Sequence, residues 1–187
     1  MSLMARDSGG GGDWESIPSG MHNAVGARVY DLGMQDGFNP GTKAHKLALL
    51  WELATKYTTG DFAGQRMRVS KTYTVSLSEK ANLRHDLESW RGRQFTEAEL
   101  AGFDVEKVVG APCTLNLVET VNPKNQRRYV KVAAVMPLMS GAERLVPETP
   151  ADFVPEWIQK LLASTQPTEA YTVPTEGAGA SDEVIPF

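Results

Sequence analysis

The chain has 187 residues, 41% of them hydrophobic, a single cysteine (Cys113) and a formal net charge of −4. This length and apolar content suit one domain with tails, and no stretch approaches the roughly 18 apolar residues of a membrane span. A lone cysteine excludes an intrachain disulfide and fits a reducing cytosol; His22, His45 and His85 are far apart with no cysteine pair beside them, so no zinc motif can be written and no metal or cofactor is expected.

The sign of the net charge argues against a nucleic-acid binder until its distribution is considered. Residues 20–136 carry 16 Lys and Arg against 12 Asp and Glu, a balance of +4, whereas the flanks carry 3 against 11, a balance of −8. A basic body between acidic flanks is the asymmetry expected when the body meets phosphate and the tail meets something else.

Segment 1–16, with its Gly9–Gly12 run, is predicted to be flexible, and Met1-Ser2-Leu3 ahead of Met4 reads as a leader outside the fold. Ile17-Pro18 opens a body predicted to run from 17 to 163. Met21 to Asp31 alternates, with Val25, Ala27 and Val29 on one side and Arg28 and Tyr30 on the other, the pattern of a half-buried strand. A Gly/Pro-rich loop over 33–43 leads to Lys46–Ala54, where Leu47, Leu49, Trp51 and Leu53 share a face. After a second loop over 55–65, Arg68–Leu77 is rich in Thr, Tyr and Val and predicts a third strand.

The period then changes. Ser76-x-x-Glu79 has the form of a capping box, and Leu83, Leu87 and Trp90 follow at helical spacing, predicting a helix from Glu79 that ends near Gly92. Thr96-x-x-Glu99 starts a second helical turn, and Val105–Val109 before Gly110 closes a third. Cys113–Val121 and Arg128–Val135 are the last two strands, around the turn-rich Asn122-Pro123-Lys124-Asn125. Pro155 suits a first helical turn, and Trp157, Ile158, Leu161 and Leu162 then form an apolar stripe that docks either on its own body or at an interface. From 164 onward the Ser, Thr, Pro, Glu, Gly and Ala composition buries too little to offset ordering entropy and reads as a disordered tether.

Three strands, a helical insert and a closing hairpin follow the order of an OB-fold, a five-stranded barrel with its helix between the third and fourth strands. Another small β-barrel or an α+β sandwich are the alternatives.

The chain ends Asp182-Glu183-Val184-Ile185-Pro186-Phe187. Two carboxylates, a short apolar step and a terminal Pro-Phe resemble the acidic tip of bacterial single-stranded DNA-binding proteins, with one departure, Val184 between the acids and Ile185. The resemblance implies that Asp182, Glu183, Ile185, Pro186 and Phe187 dock into basic pockets on replication, recombination and repair enzymes. Phe supplies a rigid apolar anchor, Pro lowers the entropy lost on ordering, and the acids face Arg or Lys. The rival reading is an ordinary frayed acidic terminus. The body, through Lys71-Thr-Tyr-Thr-Val-Ser-Leu-Ser-Glu-Lys-Ala-Asn-Leu-Arg-His-Asp-Leu-Glu-Ser-Trp-Arg-Gly-Arg-Gln-Phe-Thr and on to Gly110, is similar to small phage-encoded proteins found near replication and recombination genes, a likeness running from about Ile17 to Trp157. The body does not resemble the bacterial single-stranded DNA-binding domain; only the tail does.

A strand-binding body needs cations along the backbone path and exposed aromatic faces for bases, each stack contributing about 1–3 kcal/mol whatever the base. The OB order directs attention to the second and third strands and to the loops joining strands 1–2 and 4–5. Those loops carry Phe38 and Lys43, then Lys124, Arg127 and Arg128; the strands contribute Arg28, Tyr30, Tyr129 and Lys131, with Lys46, Arg66, Arg68, Lys71 and Tyr73 completing the set. Each Lys or Arg has the plainer reading of a solvated charge. Tyr73 shares its side with Val69 and Val75 and competes as a core residue, Trp51 and Trp90 read as core, and Arg91 and Arg93 read as caps on a helix C-terminus. Cys113 in its alternating strand reads as a small buried hydrophobe.

Glu97 with Glu99, and His85 beside Asp86, do not face each other on a helix, and no phosphate loop, nucleophile elbow or metal spacing occurs, so an enzyme is not expected. The sequence therefore predicts a cytoplasmic, phage-type protein that binds single-stranded DNA with little sequence preference and recruits host or phage enzymes through its tip, with self-association left open. Its rival is an interaction protein that presents the same tip without binding DNA.

Overall fold

The computed structural model describes residues 15–123 and 125–164. Lys124, the N-terminal segment before residue 15 and the tail from 165, with the tip residues Asp182, Glu183, Ile185, Pro186 and Phe187, lie outside the described residues.

Five strands, β1 (Gly20–Asp36), β2 (Lys43–Lys56), β3 (Arg66–Thr74), β4 (Pro112–Val121) and β5 (Arg128–Met136), form one antiparallel sheet in the order β3-β2-β1-β4-β5. β1 is shared between two neighbours: Gly20–Val25 pairs with β4, and Ala24–Asp36 pairs with β2. A register shift between Gly26 and Arg28 lets one strand serve both. Gly26 is required there, because a Cβ would stand 2.2 Å from the Val108 carbonyl oxygen and 2.9 Å from the Trp90 ring. Its own N–H donates to the Ala111 carbonyl at 2.9 Å, and its carbonyl accepts from the Gly110 N–H at 2.8 Å.

β1 and β2 run further than alternation alone suggested. Gly33–Asp36 pairs with Lys43–Lys46, so the expected loop over 33–43 is a ladder closed by a short turn. Its side chains, Met34 among them, are exposed or half-buried, and the backbone pairing carries the ladder.

Between β3 and β4 lie α1 (Asn82–Arg91), α2 (Glu97–Ala101) and a 3-10 turn (Val105–Val108). The expected capping box at Ser76 is absent: Ser76 instead accepts from the Ser78 N–H in a local turn, and α1 begins only at Asn82, after an Ala81 N-cap. Ser favours such local turns as much as caps, and the motif alone does not separate the two. α1 ends as expected on Gly92, whose φ of 68° is the left-handed conformation glycine adopts without strain. Thr96 and Glu99 do form the reciprocal box at α2. The buried Glu99 carboxylate also binds Arg91 and Arg93, so these arginines tie α1 to α2, and Arg91 lies over the Phe95 and Phe103 rings.

The inner face of the sheet and the α1 stripe of Leu83, Leu87 and Trp90 enclose one core containing Leu47, Leu49, Trp51, Leu53, Tyr73, Cys113 and Leu115. Trp51 and Trp90 pack with centroids 5.9 Å apart, and the Trp90 indole donates to the Pro112 carbonyl at 2.9 Å. β2 is buried on both faces, because Ala48 belongs to a second cluster with Leu32 and Ile158. Ile158 comes from α3 (Glu156–Ser164), so the C-terminal helix docks on its own sheet. Fully burying such a side chain contributes about 1.5–3 kcal/mol.

The sheet is not closed. Its edge strands β3 and β5 approach each other without pairing among the described residues. Both edges bear cations, Arg68 and Lys71 on β3 and Arg128 and Lys131 on β5, and charges on edge strands oppose added pairing.

Candidate nucleic-acid interface

The outer face of β1, β2 and β3 holds four of the residues expected to meet DNA, and the chain itself covers them. Residues 143–158 cross that face as a strap. Arg28 donates to the carbonyls of Thr149 at 2.8 Å and Pro150 at 3.1 Å. The Tyr30 hydroxyl donates to the Phe153 carbonyl at 2.6 Å. Arg66 donates to the Val146 carbonyl at 2.7 Å and pairs with Glu148 at 2.9 Å. Arg68 donates to the Thr149 hydroxyl at 3.1 Å and lies 4.6 Å from the Phe153 ring centroid.

Glu52 anchors the arrangement. Its carboxylate is shut away from solvent, accepts from the backbone N–H groups of Glu148 and Thr149, and pairs with Arg66 at 3.3 Å. Desolvation, the largest single influence, pushes its pKa up, but the strap's hydrogen bonds and Arg66 together outweigh it and hold the group below the ordinary carboxylate value. Arg28, Tyr30 and Arg66 thus act within the chain, joining sheet to strap.

An open cleft of about 540 Å³ lies at the unpaired seam between β3 and β5. Four expected residues meet there: Arg68 from β3, and Arg128, Tyr129 and Lys131 from β5. Tyr129 is half exposed, at 49%. The β5 alternation produces this, since Val130 and Val132 turn into the core while Tyr129 and Lys131 turn out. Arg128 pairs with Glu119 at 2.9 Å, but both side chains are well exposed, so this bond contributes little and is readily exchanged.

The opposite wall was not anticipated. Tyr57, on the loop joining β2 to β3, lines the cleft and packs beside Phe62 with centroids 6.0 Å apart. Burial pushes its phenol pKa up, with Arg68 opposing, so the ring is neutral at physiological pH. Glu15 and Ile17 complete that wall. The available signal for Tyr57 was an aromatic residue in a Thr- and Gly-rich loop, a place where a core role is hard to assign.

The remaining candidates are not brought to the cleft. Tyr73, a DNA-contact candidate with a competing core role, is corrected to a core residue: it is buried, and its hydroxyl donates to Asp86 at 2.6 Å. Burial, then the nearby Asp86 carboxylate, push its phenol pKa far up, so it persists as a donor. Lys71 donates to the same Asp86 oxygen at 2.6 Å. Phe38 is fully exposed at the turn of the β1–β2 hairpin, near Lys43, which pairs with Asp36 at 2.7 Å; Lys46 lies further along that hairpin, opposite Gly33. Arg127 is exposed in the β4–β5 turn, and Lys124 of that turn lies outside the described residues.

Among the described residues no group of three or more His, Cys, Asp or Glu side chains is placed to hold a metal ion, and no helix is long and apolar enough to cross a membrane. Cys113 is buried, which pushes its thiol pKa up. Neither a protein-family model nor a curated protein sequence matches the chain.

Proposed function

We propose that the body binds single-stranded DNA with little sequence preference at the β3/β5 seam, and that the C-terminal tip recruits enzymes of DNA replication, recombination or repair. The observation that carries this reading is the seam cleft, where two tyrosine rings, Tyr57 and Tyr129, stand with Arg128 and Lys131, while Arg68 on the β3 side is shared with the strap. Stacking faces beside a cationic path are what a sequence-tolerant single-strand site requires. Duplex binding is disfavoured, because α1 mixes Arg84 with Asp86 and Glu88 and offers no basic face for a groove. On this reading the sheet is an OB-fold-like barrel left open at one seam: the strand order and the helical insert between β3 and β4 support it.

A second reading has its own support. Arg28, Tyr30, Arg66 and Arg68 on the sheet face are bonded to the strap, which favours an interaction protein that presents the tip without binding DNA. Titrating labelled oligo-dT and a matched duplex at several salt concentrations separates the two. The proposed function expects salt-sensitive binding that favours the single strand; no binding even at low salt selects the second reading. Removing Phe187 is expected to abolish capture of partner enzymes and leave strand affinity intact or slightly raised.

A further inference from the structure

The loop between β2 and β3 already holds an anion. The Glu15 carboxylate accepts from the Thr58 N–H at 2.6 Å, the Thr59 N–H at 3.2 Å, the Thr58 hydroxyl at 3.1 Å and the Thr59 hydroxyl at 3.5 Å. Two successive backbone amides with two hydroxyls converging on one negative group form an anion-binding concavity. The loop is shaped before any ligand arrives, because Tyr57 donates its N–H to the Gln65 carbonyl at 3.0 Å and accepts from the Gly64 N–H at 2.8 Å. Thr58 and Thr59 are exposed, and they directly follow Tyr57, whose ring lines the cleft together with Glu15. The bond from the Thr58 amide is the main influence holding Glu15 below its ordinary pKa, so the occupant is charged at neutral pH.

We propose that the amides and hydroxyls of Thr58 and Thr59 form a phosphodiester site at the edge of the cleft, next to Tyr57, and that Glu15 occupies this site until an incoming single strand displaces the carboxylate. The inference rests on the single-strand reading above and adds a gate to it. With Glu15 in place, the cleft presents a carboxylate where phosphate would bind, which discourages weak anions; a strand stacked on Tyr57 and Tyr129 brings a phosphate close enough to take over the four donors. The ligand class is a phosphodiester oxygen pair, which matches a carboxylate in charge and in its two acceptors.

The experiment compares wild type, Glu15→Gln and a charge control, Glu97→Gln, which alters an exposed carboxylate in the first turn of α2. Each is titrated with labelled oligo-dT at low salt while the backbone amide resonances of Thr58 and Thr59 are followed. Removing a like charge at contact range in water is expected to tighten binding by roughly fivefold for Glu15→Gln, with Glu97→Gln unchanged. The Thr58 and Thr59 amides are expected to shift on strand addition in wild type as well as in Glu15→Gln. Strand binding that leaves those amides unmoved, or equal tightening by both variants, would overturn the gate while leaving the single-strand reading intact. No strand binding by any of the three would overturn that reading, and the gate with it.

Discussion

The outer face of β1–β2–β3 and the seam between β3 and β5 carry the same kinds of side chain and use them differently. On the face, Arg28, Tyr30 and Arg66 donate to carbonyls of the strap, and the fully buried Glu52 receives strap amides in return. At the seam, Arg128, Tyr129 and Lys131 are exposed beside a cleft, and the ion pair of Arg128 with Glu119 is open to water. Arginine and tyrosine on a strand therefore do not mark a nucleic-acid surface by themselves. What separates the two regions is whether the donors are already satisfied within the chain, because a satisfied buried donor must lose a bond before it can meet phosphate.

The largest expected effect sharpens the strapped side of the contrast. Glu52→Ala leaves Arg66 and two strap amides without their shared acceptor, and breaking a buried pair of this kind costs roughly 3–5 kcal/mol. Denaturant unfolding should show that loss while oligo-dT affinity is unchanged; a rise in affinity would mean that the covered face is the binding surface. The same group sets a pH dependence. Because its folded pKa is lowered from the ordinary 4.5, its stabilisation is present above that value and is lost as pH falls through the folded pKa. Glu52→Ala should accordingly flatten the acid limb of stability measured against pH.

Tyr129→Ala tests the seam. Loss of one stacking platform should weaken oligo-dT binding by about 1–3 kcal/mol with the unfolding midpoint unmoved. An unchanged affinity would remove the seam from consideration. Tyr30→Phe is the matched change on the strapped face. It deletes one hydrogen bond and should cost about 0.5–1.5 kcal/mol of stability with no change in strand affinity. The smallest effect is electrostatic: Arg128→Ala should lower the slope of log affinity against log salt by about 0.7, one single-strand phosphate contact. A slope that stays put would indicate that Arg128 remains with Glu119 in the complex.

Much of the strand framework was legible because burial on one face writes a period of two into the chain. Leu47, Leu49, Trp51 and Leu53 on β2, and Val130 and Val132 against Tyr129 and Lys131 on β5, lie on the sides their alternation indicates. The stripe of Leu83, Leu87 and Trp90 and the Thr96–Glu99 box were equally readable, since each depends on residues within one or two turns. Ser76 and Glu79 matched the same box motif and formed no cap, because a local Ser turn competes for the same hydroxyl. The β1–β2 extension had no apolar alternation to announce it.

The sequence by itself determined the order of the strands and the helical insert, the burial of Trp51 and Trp90, and the asymmetry of a basic body with acidic flanks, because these depend on composition and near-neighbour spacing. Only the tertiary structure decided which polar side chains are consumed. Arg28, Tyr30 and Arg66 are bound by backbone carbonyls about 80 to more than 120 residues further along the chain. Every residue carries such a carbonyl, so an acceptor of this kind leaves no mark in a sequence. The seam cleft arose in the same way: Tyr57, Arg68 and Tyr129 come from separate segments, and they meet because the two edge strands approach without pairing.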